Sequence, residues 1–326
     1  MDRNFKYYSL LMVLSLGFGL SSRGVAQKTG SGNETPPVKV ALEAYSFSKL
    51  LNDNAKGRGS GMSLFDLLDF AAMNNFDGLS LTGYYFPGYP NVPADTYIND
   101  IKRRAFELGL DICSTGVRND FGNPDPAKRA ADVKHVKEWV DVAVKLGSPV
   151  LRIFSGAIAP GYENKWDEVA KYMTADIKEC VAYAQKRGVI IAVQNHGDFL
   201  KTADETIKLV KMVNSEWFGV VVDTGYFLTD DPYADMAKVM PYAANFLLKE
   251  SPVPGGSEVR IDLTKVMKIL KDSKYRGYLP IETLSAKVSS KDADKSGVKK
   301  PAYDPYQVVP VFLKQVNDAI DKAYKN

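Results

Sequence analysis

The sequence predicts an α/β fold, a single-domain (β/α)8 TIM barrel. Short apolar runs rich in β-branched residues alternate with amphipathic helical patterns eight times from residue 38 onward. Several of these runs end abruptly in polar or small residues, which is typical of the functional face of a barrel of parallel strands. Three such ends are Gln194-Asn195-His196, Asp223-Thr224-Gly225 and Glu282-Thr283. A doubly wound open sheet is the alternative, but that fold usually has a glycine-rich phosphate turn after its first strand, which this sequence lacks.

The strands follow from the apolar runs, and the helix-rich crossovers between them require parallel pairing. The predicted strands cover residues 38–45, 78–81, 110–115, 150–154, 189–195, 218–223, 245–249 and 277–282. Capping boxes mark two helix starts, at Ser63 with Asp66 and at Thr202 with Glu205, and Gly188 marks a helix end. The predicted helices begin at Ser63 and after Thr202 and cover residues 94–108, 125–146, 166–187, 232–240, 263–273 and 306–324.

Four strand-to-helix segments are long, and all four belong on the face where the strands end. They are residues 47–62, 83–93, 250–261 and 285–305. Loops of this length usually build or cover a site. The second contains an aromatic stretch, residues 84–90, which suits contact with sugar rings or packing over the barrel mouth.

The first residues have the pattern of a secretory signal. Basic residues precede an apolar run of about a dozen residues, and Gly24-Val25-Ala26 fits a small-x-small cleavage site. We therefore expect a signal peptide at 1–26, a flexible leader at 27–37, the barrel at 38–326, and a periplasmic or secreted protein. The alternative is an N-terminal anchor helix that stays attached. No other segment has the length of apolar sequence that a membrane span needs.

Composition favours a small-molecule partner. The net charge is +3, and no basic block is interleaved with aromatic residues, so no nucleic-acid partner is implied. The two cysteines, Cys113 and Cys180, cannot form a disulfide framework or a zinc–thiolate site, and each is predicted to be a small buried hydrophobe. No oligomeric state is predicted.

The order of the strand-end motifs resembles the xylose isomerase-like TIM barrels, the sugar phosphate isomerase/epimerase superfamily. Strand five resembles that family's Glu-Asn-His-Gly end, and strand six its Leu-Asp-Thr-Gly-Asn end. Strand two resembles its Gly-Val-Glu-Leu-Thr-Gly-Tyr-Tyr segment. Each motif is short, but their order and spacing together are specific, and the resemblance extends from about Val38 to the end of the chain.

This resemblance implies one divalent metal, Mn, Co, Zn or Mg, at the barrel mouth, which polarises sugar oxygens while a carboxylate moves a proton. Asp223 and Glu282 match the family ligands of strands six and eight. Gln194 replaces the strand-five Glu, Leu247 replaces the strand-seven ligand, and Ser80 stands where strand two often has Glu. The remaining ligand set is Asp223, Glu282 and Gln194, so we expect the metal to be weakly bound or absent.

The catalytic candidates are Glu282 as the base, with His196 or Lys249 as its partner. His196 could equally be a core histidine bonded to a strand end, and His135 is predicted to be solvated surface. Arg152, within an apolar strand, needs an anionic partner. We therefore expect Arg152 and Lys249 to form a charge network with Asp223 and Glu282 that stands in for the missing metal charge.

Six residues are candidates for substrate binding. They are Arg118, Asn119, Arg152, Gln194, Asn195 and Tyr85. Arg118 and Asn119 follow strand three and resemble a substrate-contacting segment of the family, although a capping or loop role fits them nearly as well.

The strand-end residues and the family resemblance leave two candidate functions. The first is a secreted carbohydrate isomerase, epimerase or lyase that abstracts a proton next to the carbonyl of an unphosphorylated sugar or keto-sugar. The alternative is a non-catalytic barrel that binds carbohydrate, which the missing strand-five acid favours. A three-metal endonuclease, also found in the superfamily, is disfavoured because the chain has only two His.

Export predicts that the mature chain begins near Gln27. N-terminal sequencing of protein from the periplasmic or extracellular fraction measures this directly, with a cytoplasmic protein from the same cells as the fractionation control. An intact Met1 on membrane-bound material would contradict the prediction.

Overall fold

The computed structural model describes residues 38–59, 61–196, 199–251, 260–284 and 303–325. Eight parallel strands pair in chain order and close into a barrel, as the sequence predicts. The strands are β1 (Lys39–Glu43), β2 (Gly78–Thr82), β3 (Asp111–Gly116), β4 (Val150–Phe154), β5 (Ile190–Gln194), β6 (Phe218–Asp223), β7 (Ala243–Lys249) and β8 (Tyr278–Glu282). Pairing of β1 with β8 completes the closure.

Nine α-helices lie within the described ranges and surround this barrel. They are α1 (Ser48–Ala55), α2 (Leu64–Met73), α3 (Asp95–Glu107), α4 (Pro126–Leu146), α5 (Trp166–Gln185), α6 (Ala203–Val213), α7 (Pro232–Val239), α8 (Leu263–Asp272) and α9 (Pro305–Tyr324). Both predicted capping boxes are present, at Ser63 with Asp66 and at Thr202 with Glu205. The predicted strand and helix ends agree with the observed ones to within two residues.

One helix was not predicted. The segment 47–62 was assigned to a loop, yet it contains α1, and a short 3-10 turn, Ala44–Phe47, precedes that helix and ends strand one earlier than predicted. Helix α1 buries only Leu51 and has no side-chain cap at its start, so the hydrophobic period and the capping signal that identify a helix are both weak there.

The interior of the barrel is layered, and this layering positions the polar residues. Val150, Ala192, Val221 and Leu247 form a small apolar cluster of their own on four consecutive strands. Side chains two residues apart on a strand point the same way. The next inward layer, two residues nearer the C-terminal ends, therefore contains Arg152, Gln194, Asp223 and Lys249. The apolar layer closes the barrel below them.

Some predicted segments lie outside the described residues. They are the signal peptide at 1–26, the leader at 27–37, and most of the loops at 250–261 and 285–305. No helix in the described ranges is both long and apolar enough to cross a membrane. Cys113 and Cys180 are both buried and free, as predicted.

Candidate functional site

A cavity of about 1240 Å3 opens at the C-terminal ends of the strands. Its wall combines charged, polar and aromatic side chains from all eight strands or the segments that follow them. Predicted site residues that line it are Arg118, Asn119, Arg152, Gln194, His196, Lys249 and Glu282. The strands therefore bring most of the predicted residues to one place.

Lys249 lies at the centre of the charged part of this cavity. Its Nζ is 3.0 Å from Asp223 Oδ2 and 3.6 Å from Glu282 Oε1. All three side chains are buried. The face of the Tyr226 ring lies 4.2 Å from the ammonium, which adds a cation–π contact. The predicted charge network of Lys249 with the two acids is present.

The protonation of this cluster follows from burial and from the two acids. Burial opposes the charged ammonium, but the charges of Asp223 and Glu282 outweigh it and raise the pKa of Lys249. Burial also raises the pKa of Glu282 to about 7, with Glu43 and Asp223 acting in the same direction and Lys249 against it. The ammonium lies nearer to Asp223 Oδ2 than to Glu282 Oε1.

Two strand-five residues attach to the end of strand six. Gln194 donates from Nε2 to Asp223 Oδ2 at 2.5 Å. Asn195 donates to the main-chain oxygen of Asp223 and accepts from its main-chain nitrogen, at 3.0 and 2.8 Å. Asn195 is fully buried and its amide is used by this main-chain clamp. A substrate contact for Gln194 or Asn195 stays a prediction.

The predicted network was wrong about Arg152. Its guanidinium donates to the main-chain oxygen of Val117 at 2.7 Å and to the Tyr84 hydroxyl at 2.5 Å, and it stacks on the Phe154 ring at 4.1 Å. Among the described residues it forms no ion pair with Asp223 or Glu282. A carbonyl and an aromatic wall satisfy it instead, because β4 lies across the barrel from β8 and is separated from β6 by β5.

The other predicted residues fall in different places. Asn119 is buried. Its side-chain amide donates to the main-chain oxygen of Phe154 at 2.8 Å and accepts from the main-chain N–H of Phe154 at 2.9 Å. Arg118 is exposed, with its guanidinium 5.1 Å from the centre of the Tyr84 ring. Tyr85 is buried outside the cavity wall, and its neighbour Tyr84 lines the cavity instead.

The two histidines have clear surroundings. His196 stacks on Tyr226, with ring centroids 3.9 Å apart, and meets the edge of Phe154 at 5.0 Å. His135 is half-buried and its Nε2 is 3.2 Å from the Tyr89 hydroxyl, so its assignment to solvated surface was wrong. It belongs to the aromatic cluster beneath the second loop rather than to the cavity.

Glu43 and Tyr226 were not predicted as site residues. Glu43 is a buried acid at the end of β1 that lines the cavity. The ring of Tyr226 contacts both His196 and Lys249. Glu43 ends an apolar strand, as Glu282 does, so the strand-end signal could have identified it. Strand one was instead extended to Tyr45, which placed Glu43 inside the predicted strand.

The donor set does not fit a divalent metal. Gln194 presents its N–H group to Asp223, Leu247 offers no ligand atom, and the Lys249 ammonium lies between the two acids that the family uses as ligands. No group of three or more His, Cys, Asp or Glu in the described ranges has the arrangement of a metal site. Carboxylate or imidazole donors are the usual ligands of these metals.

The fold and the strand-end site define a class of proteins. Residues 68–300 match the family model described as xylose isomerase-like TIM barrel, and the chain belongs to that family.

Particular relatives are distant. The 3'-dehydrocarminate deglycosidase alpha subunit from Microbacterium sp is 30% identical over 95 residues, which cover 28% of this chain and 27% of that relative's length. The solved structure of 3-keto-D-glucoside 4-epimerase from E. coli aligns with a TM-score of 0.65 at 11% identity. The alignment covers 86% of this chain and 99% of the epimerase chain. The structure of L-ribulose 3-epimerase aligns with a TM-score of 0.67 at 13% identity, over 88% of this chain and 95% of the epimerase chain. These structural neighbours are sugar epimerases with the same fold.

The Asn195 clamp predicts a loss of stability. Replacing Asn195 by Leu leaves the buried main-chain N–H of Asp223 without a partner and its C=O with only the Tyr226 N–H at 3.5 Å. An unsatisfied buried main-chain group costs about 1–3 kcal/mol. Urea denaturation measures the change. Asn317→Ala, at an exposed position of α9, is the control and should shift stability by less than about 0.5 kcal/mol. An Asn195→Leu variant as stable as the control, with only sugar affinity lost, would contradict the clamp.

The donor set also predicts weak metal binding. The double variant Gln194→Glu with Leu247→His restores the charge and the imidazole of the family site, so it should retain more Mn, Co or Zn than the parent. Elemental analysis after dialysis measures this, with Leu247→Met as a control that keeps an apolar side chain. A parent that already retains one metal per chain would contradict the prediction.

Proposed function

We propose that this protein is a carbohydrate isomerase, epimerase or lyase that abstracts a proton from the carbon next to a sugar carbonyl, with Glu282 as the base. The observation that carries the proposal is a buried carboxyl in a polar cavity, held 3.6 Å from a buried ammonium. A base works best when its pKa is near the operating pH, and burial brings that of Glu282 to about 7.

The neighbouring residues have complementary roles. Lys249 supplies the positive charge that the family obtains from a metal, and it stabilises the negative charge that develops on the substrate. Arg152 offers its guanidinium from the opposite wall to a sugar oxygen. The ring faces of Tyr226 and Tyr84 provide apolar contact for the C–H faces of a sugar, and His196, stacked on Tyr226, is the candidate proton shuttle.

The substrate class is an unphosphorylated keto-sugar. The names of the distant relatives support this choice, since one acts on a 3-keto-D-glucoside and another is a deglycosidase named for a 3'-dehydro compound. A carbonyl makes the neighbouring C–H acidic enough for a single carboxylate to remove its proton. The predicted export also supports an unphosphorylated substrate, and we propose a periplasmic or secreted location.

The second candidate is a non-catalytic carbohydrate-binding barrel. Gln194 in place of an acid favours it, and so does the pairing of Lys249 with both remaining acids, because such a network could serve stability alone. Buried ion pairs are, however, often no more stabilising than apolar residues of similar volume, so stability is a weak reason for this network.

Glu282→Gln tests the two functions. It keeps the shape of the side chain but removes the base, so exchange of the carbon-bound proton with solvent deuterium should fall at least about a hundredfold. Mass spectrometry of a panel of keto-sugars, including a methyl 3-keto-D-glucoside, measures the exchange. Asp111→Asn, at the opposite end of the barrel, is the matched control. Equal exchange in wild type and Glu282→Gln would exclude Glu282 as the base, and no exchange by wild type would favour the binding function.

A further inference from the structure

We propose that Glu43 is held as a neutral carboxylic acid and donates a hydrogen bond to the carbonyl oxygen of the sugar, while Glu282 takes the proton from the neighbouring carbon. The inference rests on the proposed function and adds a second catalytic residue, with a different role, to the same cavity.

Glu43 and Glu282 stand side by side. Strands β1 and β8 pair in parallel with Leu42 opposite Ile281, so the next residue on each strand, Glu43 or Glu282, lies at the same level. Neighbouring strands are about 4.8 Å apart. Both carboxyls line the same cavity and are close enough for an ionised Glu43 to repel the Glu282 carboxylate. A neutral Glu43 removes that repulsion and leaves Glu282 free to act as the base.

The surroundings of the two carboxyls differ. Glu282 has the Lys249 ammonium at 3.6 Å, whereas no Lys or Arg nitrogen of the described chain lies within 4.0 Å of the Glu43 carboxyl. The partners of Glu43 are neutral: the Thr82 hydroxyl at 2.8 Å and the Tyr45 main-chain N–H at 3.4 Å. Arg152 lies beyond ion-pair distance and its charge favours the carboxylate, but burial is the larger effect and raises the pKa of Glu43. The neutral acid is therefore favoured.

The hydrogen bonds also indicate which oxygen carries the proton. Thr82 and Tyr45 both donate to Oε1, which suits the carbonyl oxygen of a protonated carboxyl. The Ser80 hydroxyl also hydrogen-bonds the Glu43 carboxyl. Burial raises the pKa of that carboxyl. Because Oε1 accepts from two donors, we place the proton on Oε2, from which it can be donated to a ligand in the cavity.

The chemistry balances without another reactant. Glu282 removes the proton, the C–H electron pair forms the carbon–carbon double bond of an enolate, and the carbonyl π pair moves onto oxygen. The Oε2–H group of Glu43 hydrogen-bonds that oxyanion. The proton on Glu282 then returns to carbon or exchanges with solvent. A preorganised donor at a developing oxyanion contributes about a hundredfold to a thousandfold in rate.

The protonation state can be tested without any substrate. An infrared difference spectrum of the full chain at pH 7, wild type minus Glu43→Gln, should contain the carbonyl stretch of a protonated carboxylic acid. Asp111→Asn is the matched control, because Asp111 pairs with Lys39 at 3.1 Å and should contribute carboxylate bands only. Carboxylate bands alone in the Glu43 spectrum would overturn the proposal.

The catalytic role is tested by two substitutions in the deuterium exchange assay with a methyl 3-keto-D-glucoside. Glu43→Gln keeps a neutral hydrogen-bond donor and should retain exchange within about tenfold, whereas Glu43→Leu removes the donor and should lose about a hundredfold. Circular dichroism confirms folding of both variants.

The outcomes separate the two proposals. Equal losses in Glu43→Gln and Glu43→Leu, or no loss in Glu43→Leu, would overturn the role of Glu43 while Glu282→Gln still abolishes exchange. Exchange that survives in Glu282→Gln would overturn the proposed function itself.

Discussion

The site depends on one interaction, the contact of a buried ammonium with two buried carboxyls. Lys249 ends β7 and reaches the acids that end the strands on either side of it, Asp223 on β6 and Glu282 on β8. Removing the ammonium would leave two buried carboxyls without a cation, and breaking a buried ion pair usually costs about 3–5 kcal/mol. The amide of Gln194 and the clamp of Asn195 both act on Asp223, so strand five is tied to the same cluster.

In the proposed function, this cluster takes the place of the metal that the family resemblance implies. An ammonium fixed by a protein side chain supplies charge at one point and cannot rearrange its ligands around a sugar as a metal can. Oxygens farther from it need other donors. Arg152 and the proposed neutral Glu43 lie on other walls of the cavity and are placed to provide them. The cavity thus combines the Lys249 cluster on one side, the Arg152 guanidinium on another, and aromatic side chains between them.

The predictions succeeded or failed for identifiable reasons. Strands four, five and six were recognised because apolar runs rich in β-branched residues with sharp polar ends have a strong local signal. Helix α1 was missed because its eight residues bury a single side chain. Asn119 and Asn195 were recognised as important, but sequence could not distinguish an amide that binds sugar from one that substitutes for main-chain pairing between strands.

The sequence by itself determined the barrel, the face on which the site lies, and the pairing of Lys249 with the acids of its two neighbouring strands. All three depend on local periodicity and on the adjacency of consecutive parallel strands. The tertiary structure decided which partners Arg152 takes and that Glu43 stands beside Glu282. The physical reason is barrel closure: the register of β1 against β8 joins the two ends of the fold, and no local pattern in the chain specifies it.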